Sequence, residues 1–183
     1  MTATHRYLAI IAPSPPIAKE VVRIREALRA LIGDFQGHRL MPHVTLFLAD
    51  VSEEQGGLIA TGIAAGLHDA DPFELHYEGI THFPDQRTIY VDPIEKEAIG
   101  ALRTALLAPI LSIESVRQAV RSTEHPHLTI AAGLGPDQFK SAWIMLRPHV
   151  FKATHPVGSV VLLRRSLRTG SAYEVLREFP LGM

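Results

Sequence analysis

The rhythm of apolar and polar positions changes repeatedly along the chain, from short strand-like runs to helical stripes. RYLAIIA, 6–12, is short, apolar and partly β-branched, and reads as a buried strand. Ser14-Pro15-Pro16 ends it and opens a helix from about Ile17 to Leu31, with Val21, Ile24, Leu28 and Leu31 on one stripe. Gly33-Asp34 stops that helix. HVTLFLA, 43–49, is the second strand. Asp50 or Ser52 then caps a helix reaching about Leu67, with Glu53 and Glu54 in its first turn. FELHYEGI, 73–80, alternates as a strand. Phe83-Pro84-Asp85 turns, and RTIYVD, 87–92, returns as its hairpin partner.

Ile94, Ala98, Leu102 and Leu106 place a helix over 94–108, which Pro109 ends or kinks. Segment 109–126 is the least regular and is the expected mobile loop. HLTIAA, 127–132, is a strand, Gly133 to Pro136 turns, and Asp137 to Leu146 is a short helix carrying Trp143 towards the core. VGSVVLLRR, 157–165, is a strand, Arg168-Thr169-Gly170 turns, and AYEVLREFPL, 172–181, is the last strand. The order β-α-β-α-β-β-α-β-α followed by two or three strands predicts an α+β fold with mixed strand direction. A rough internal echo runs through it, each half carrying a helix that leads towards a His-x-Thr strand.

Length and composition narrow this picture. A chain of 183 residues suggests one domain, or two small lobes sharing a core. Apolar residues are 46% and charged residues 20%, and the formal net charge of −1 gives no global field for nucleic acid. Any anionic ligand must be held by local groups. Cysteine is absent, which removes disulfides, thiolate metal sites and cysteine nucleophiles, and fits a cytoplasmic setting. The opening MTATHRYLAIIAPSPP reads as a first strand rather than a signal peptide. No stretch approaches the ~18–20 apolar residues of a membrane span. Neither G-x-S-x-G nor a Walker loop occurs.

The chemistry lies in two matching tetrads, HVTL at 43–46 and HLTI at 127–130. Residues i and i+2 of a strand share a face. His43 and Thr45 therefore face one way while Val44 and Leu46 face the other. His127 and Thr129 oppose Leu128 and Ile130 in the same manner. Placed side by side about a pseudo-two-fold axis, the pairs put two imidazoles and two hydroxyls around one small volume. That set suits a phosphodiester. One neutral histidine takes a proton from an attacking oxygen, and the other, protonated, gives one to the leaving oxygen. The threonines donate to the non-bridging oxygens. Neither transfer needs a metal, and no cofactor is expected. A rival arrangement is a three-histidine metal site from His125, His127 and His43. His5, His38, His68, His76, His82, His149 and His155 read as surface or packing residues, with His82 and His149 able to line a cleft.

The paired tetrads resemble the His-x-Thr-x signature of the 2H phosphoesterase superfamily, and the layout is most similar to its 2′-5′ RNA ligase (LigT-like), or RNA 2′,3′-cyclic phosphodiesterase, branch. RYLAIIAP resembles the family's first strand, THFPDQRTIYVD its Phe-Pro turn and aromatic strand, HPHLTI its second motif, and GSAYEVLREFPL its ending. The resemblance implies a single domain, 1–183, of two intertwined lobes, with mixed or antiparallel sheets, outer helices and a central cleft. It implies action on a 2′,3′-cyclic phosphate or 2′-5′ phosphodiester of an RNA end or nucleotide, with no membrane and no obligate protein partner. His43, Thr45, His127 and Thr129 fall on its catalytic positions, with His127 inclined to activate the nucleophile and His43 to protonate the leaving group. Tyr173 falls on a tyrosine near the substrate, and Tyr90, Arg87 and Arg165 are further candidates for binding it. Relatives often carry an arginine where this chain has Ala132. Arg87, Arg164, Arg165 or Arg168 could take its place. That departure keeps open a binding module for nucleotides or RNA ends with little turnover, and a metal-dependent hydrolase using His125 is a third reading.

Overall fold

The computed structural model describes residues 2–169 and 171–182. Its elements, in chain order, are β1 (His5–Ile11), α1 (Pro15–Ile32), β2 (Val44–Val51), α2 (Glu53–Gly66), β3 (Phe73–His82), β4 (Ile89–Pro93), α3 (Lys96–Leu111), α4 (Glu114–Arg117), β5 (Val120–Arg121), β6 (Leu128–Ala131), α5 (Pro136–Leu146), β7 (Lys152–Val157), β8 (Ser159–Ser166) and β9 (Glu174–Pro180). The strands form one curled sheet in the order β7-β3-β4-β6-β2-β1-β8-β9, with β5 also paired to β2. Every pairing is antiparallel, so the fold is the antiparallel form of the expected α+β architecture.

The strand order divides the sheet into β7-β3-β4-β6 and β2-β1-β8-β9. The halves join where β6 meets β2, and the backbone pair at that join is Val44↔Leu128. These are the second residues of the two tetrads. The junction of the sheet and the repeated motif therefore coincide.

One apolar cluster fills the helical side of both halves, including Val21, Leu28, Val44, Leu46, Ile59, Leu106, Leu128 and Ile130. A small second cluster of Leu8, Ile10, Val161 and Leu163 lies on the opposite face of β1 and β8. Helix contacts are close. A Cβ placed on Gly66 of α2 would stand 2.3 Å from the Ala105 carbonyl oxygen of α3, so only glycine lets these backbones approach. In β3 the register slips between Tyr77 and Ile80, and Gly79, at φ 78°, supplies the left-handed residue of that bulge.

Several expectations need correction. Pro109 lies inside α3, which continues to Leu111, and the helix begins at Lys96, leaving Ile94 half exposed outside it. Segment 109–126, expected as an irregular mobile loop, contains the end of α3, all of α4 and the short β5. Residues 152–157 form β7, a strand that proline and histidine had disguised. Ser52, not Asp50, caps α2, accepting from the Gln55 N–H in a reciprocal capping box. Leu31 is 56% exposed although it closes the apolar stripe of α1. At about 100° per residue it lies about 80° round the axis from Val21, beyond the margin of the buried face. Arg25, about 40° to the other side of Val21, is buried instead. The turn expected at Arg168-Thr169-Gly170 is present through Thr169, and Gly170 lies outside the described residues.

Candidate active site

His43 and His127 stand one residue ahead of β2 and β6, at the join between the two halves. Extending the antiparallel Val44↔Leu128 register by one residue each way sets His43 opposite Thr129 and Thr45 opposite His127. The two histidines are then a diagonal pair, whose Cα atoms lie roughly 7–8 Å apart in such a ladder. Burial alternates along both tetrads. Val44, Leu46, Leu128 and Ile130 are fully buried, while His43, Thr45, His127 and Thr129 are partly exposed.

Both imidazoles are held alike. His43 Nδ1 donates to the Met41 carbonyl at 2.8 Å, and His127 Nδ1 donates to the His125 carbonyl at 2.9 Å. A carbonyl oxygen only accepts, so each Nδ1 carries the proton and each Nε2 is left with a free lone pair. Among the described residues, neither the Thr45 nor the Thr129 hydroxyl is held by another side chain. Two exchangeable nitrogens and two hydroxyl donors thus share one face at one crossing.

Burial pushes His43 below the ordinary histidine value. Its bond to Met41 opposes this, and the positive charges of Arg25 and His127 add to it. His127 is also lowered, first by burial. The His125 carbonyl and Asp92 favour its charged form, and the His125 ring opposes it. Both rings are therefore mainly neutral at neutral pH in the free protein, and a bound anion would favour their protonation.

Arg25 escaped sequence reasoning. It is 4% exposed. Its guanidinium donates to the carbonyls of Thr129 at 2.7 Å and Ile130 at 3.2 Å in the second motif, and to Leu40 in the approach to the first. One side chain therefore ties both motif segments to α1. Burial drops its pKa to about 10, so it stays charged. The signal was present, since Val21, Arg25 and Leu28 follow i, i+4, i+7 spacing on the buried stripe.

The remaining candidates separate. Tyr90 is opposite Thr129 across β4 and β6, and its hydroxyl and His125 Nε2 share a 2.9 Å hydrogen bond. Phe83 packs on Tyr90, His125 and His127, completing an aromatic wall. His125 thus turns its ring nitrogen to Tyr90. No three His, Asp or Glu side chains converge as a metal-ligand set among the described residues. Arg165 and Tyr173 come together, with the guanidinium 4.9 Å above the tyrosine ring, at the other end of the same face. Arg87 does not join them. It is exposed on the β3–β4 turn and lines a cavity with Gly133 to Pro136. Arg164 points to the opposite face and pairs with Glu53 and Glu174. Arg168 is exposed beyond the end of β8.

Ala132 lies just past β6, where it forms an isolated bridge with Gln36. Among the other histidines, His82 packs edge-on to Phe139 and Trp143, and the latter is only partly buried. His155 is buried and stacked on Tyr77. His149 lines a separate cavity of about 330 Å³ against α1.

Comparison with known proteins gives a consistent family. The family model described as 2′-5′ RNA ligase superfamily matches residues 13–169. E. coli LigT in its complex with 3′-AMP superposes over 100% of both chains, with a TM-score of 0.68 at 15% identity. TT0787 of Thermus thermophilus gives a TM-score of 0.68 at 18% identity over 96% of this chain and 97% of its own. The MHV ns2 PDE domain gives 0.54 at 15% identity over 94% and 98%. No curated protein sequence matches this chain. Among the described residues, no helix is long and apolar enough to cross a membrane.

Proposed function

Since the chain belongs to the 2′-5′ RNA ligase superfamily, we propose that it is a phosphodiesterase opening a 2′,3′-cyclic phosphate, or cleaving a 2′-5′ linkage, at an RNA end or nucleotide. The observation that carries this reading is the Val44↔Leu128 pair, which draws both tetrads to one crossing. The matched Nδ1–carbonyl bonds support it by leaving both Nε2 atoms available. The 3′-AMP in the E. coli LigT complex is likewise a nucleotide.

The reaction needs one base, one acid and a cradle for the phosphoryl oxygens. His127 Nε2 takes a proton from water as its oxygen attacks phosphorus. The P–O bond to the leaving ribose oxygen breaks, and that oxygen takes a proton from protonated His43 Nε2. The Thr45 and Thr129 hydroxyls donate to the non-bridging oxygens as negative charge builds there. Run backwards, the two histidines exchange roles. The phosphate's own charge helps to install the proton that His43 must carry, because burial otherwise disfavours it.

The test is hydrolysis of 2′,3′-cyclic nucleotides and 2′-5′ dinucleotides by the parent, His43→Ala and His127→Ala. The parent should show a bell-shaped pH profile, and each variant should lose at least ~100-fold in kcat. Undiminished turnover in either variant removes that residue from the chemistry. Ala132 motivates a second reading, a binding module without turnover. Tight binding of a 2′-phosphate product with no hydrolysis across the substrate panel would favour it.

A further inference from the structure

The face that carries the four motif residues does not end with them. Thr45 is opposite Ile10 of β1, and Ile10 is opposite Val161 of β8, so these side chains share one face. Continuing along the same face, Leu8 is opposite both Leu48 and Leu163, and Arg6 is opposite both Asp50 and Arg165. The short β5 adds Arg121 opposite Leu48. The face therefore runs from the histidines, across an apolar patch, to three arginines.

The charges at that far end do not balance. Arg6 makes a two-pronged pair with Asp50, at 2.7 Å for each bond. Arg121 and Arg165 also bear on Asp50, so one carboxylate serves three guanidinium groups. Arg165 rests over the Tyr173 ring, and its Nε is buried without a hydrogen-bond partner among the described residues. Arg121 is exposed. Arg164, one residue along β8, is by contrast fully engaged with Glu53 and Glu174 on the other face.

Resting on the proposed phosphodiesterase reading, we propose that Arg121 and Arg165, framed by the Arg6–Asp50 pair and Tyr173, form a second anion site that holds a backbone phosphate remote from the reacting one. The ligand class is then an oligonucleotide end rather than a lone cyclic nucleotide. Register fixes the reach. Leu8 and Arg6 lie two and four residues beyond Ile10, so the site is roughly 7 to 13 Å along the strands at ~3.3 Å per residue. A stacked strand places a phosphate every ~3.4 Å of its axis. Arg121 also lies one strand and Arg165 two strands to the side of β2, which at ~4.8 Å per strand makes the whole gap roughly 8 to 16 Å, or about two to five stacked nucleotides, and fewer when the strand is unstacked. Two arginines here offset a neutral overall charge with a local one.

The experiment uses a length ladder of a 2′,3′-cyclic mononucleotide and di-, tri- and tetranucleotides ending in the same cyclic phosphate. Their 2′-phosphate products are titrated in parallel, which needs no turnover. Affinity should rise about tenfold or more as the chain gains the remote phosphate, and its salt dependence should steepen by about 0.7 per added contact. Arg121→Gln and Arg165→Gln should each flatten the ladder. Arg147→Gln, the same charge change at the end of α5, should leave it intact. Arg121 is exposed, so its variant tests the idea even if Arg165→Gln disturbs packing over Tyr173. A flat ladder in the parent, or an unchanged ladder in Arg121→Gln and Arg165→Gln, overturns the second site. Length-dependent product binding without turnover of any cyclic substrate leaves the site standing and rejects the chemistry instead.

Discussion

Replacing Arg25 by methionine tests how the two motifs are held. The substitution keeps much of the stem volume and removes the charge. It leaves the carbonyls of Thr129, Ile130 and Leu40 without their donor. Hydrogen bonds from a charged donor contribute about 1.5–3 kcal/mol each, or roughly 4.5–9 kcal/mol for three. Against that, the variant no longer buries an ion, a relief worth several kcal/mol. The net loss should be about 2–4 kcal/mol, which for a chain of this length lowers the melting temperature by roughly 4–16 °C. A second consequence separates positioning from bulk stability. Arg25 is one of the charges that depress His43, so its removal should raise the His43 titration midpoint and move the corresponding limb of the pH profile to higher pH. Arg25→Lys keeps a charge but loses the fork, and should restore His43 titration more than it restores stability. Calorimetry and NMR titration of the His43 ring read the two effects. A methionine variant that melts within about 1 °C of the parent and titrates unchanged would refute the assignment of Arg25 as the tie between the motifs.

Affinity for sulfate, whose own charge is constant over this range, should rise as pH falls from about 7 towards about 5. His43 and His127 are both depressed in the free protein, so an anion recruits protons to them, with up to about tenfold gained per pH unit for each proton taken up. Isothermal titration in buffers of different ionisation enthalpy counts those protons, and pH-independent affinity with no uptake would contradict the arrangement. The same depression has an opposite effect on the unliganded fold. Between the native and unfolded values the unfolded chain binds more protons, so stability should rise with pH through the ordinary histidine value of ~6.5 and be lost below it. Urea midpoints should show that slope, shallower in a His43→Gln, His127→Gln variant. Two glycines of one helix should respond with opposite signs. Gly57→Ala meets nothing within 4 Å and should stabilise by up to about 1 kcal/mol. Gly66→Ala drives a Cβ into the Ala105 carbonyl and should cost about 1–3 kcal/mol despite the better helix former. Thermal melts of both variants decide it, and a shared sign would refute the packing argument.

What could be read from the chain depended on whether the reason for a residue was local. The alternation of Val44 and Leu46 against His43 and Thr45 is a property of one strand, and the observed burial follows it residue by residue. The capping of α2 was half legible. Both Asp50 and Ser52 are good caps, and the choice was made by Arg6, 44 residues away, which engages Asp50 from the neighbouring strand. Pro109 does not end α3, because a proline removes one helical bond without always stopping the helix, and the apolar Ile110 still packs into the core. Strand β7 was hidden for a related reason. KATHPV does not alternate cleanly, yet its pairing with β3 from Phe73↔Val157 to Glu78↔Lys152 holds it in place.

Arg25 shows the limit most clearly. On a helical wheel its position was apolar by neighbourhood, and its chemistry was charged. Sequence patterning resolves that conflict by turning the side chain to water. The fold resolves it by bringing three backbone carbonyls, two of them more than a hundred residues away in sequence, to the guanidinium. The same logic governs the two arginines of β8. Arg164 and Arg165 are equivalent as adjacent letters, and strand alternation says only that they part company. Which of them faces the histidines was decided by β1, whose Arg6 pairs with Arg165 and whose Tyr7 pairs with Arg164. Long-range register therefore splits a run of two like charges, leaving Arg164 paired with Glu53 and Glu174 and Arg165 over the Tyr173 ring on the other face.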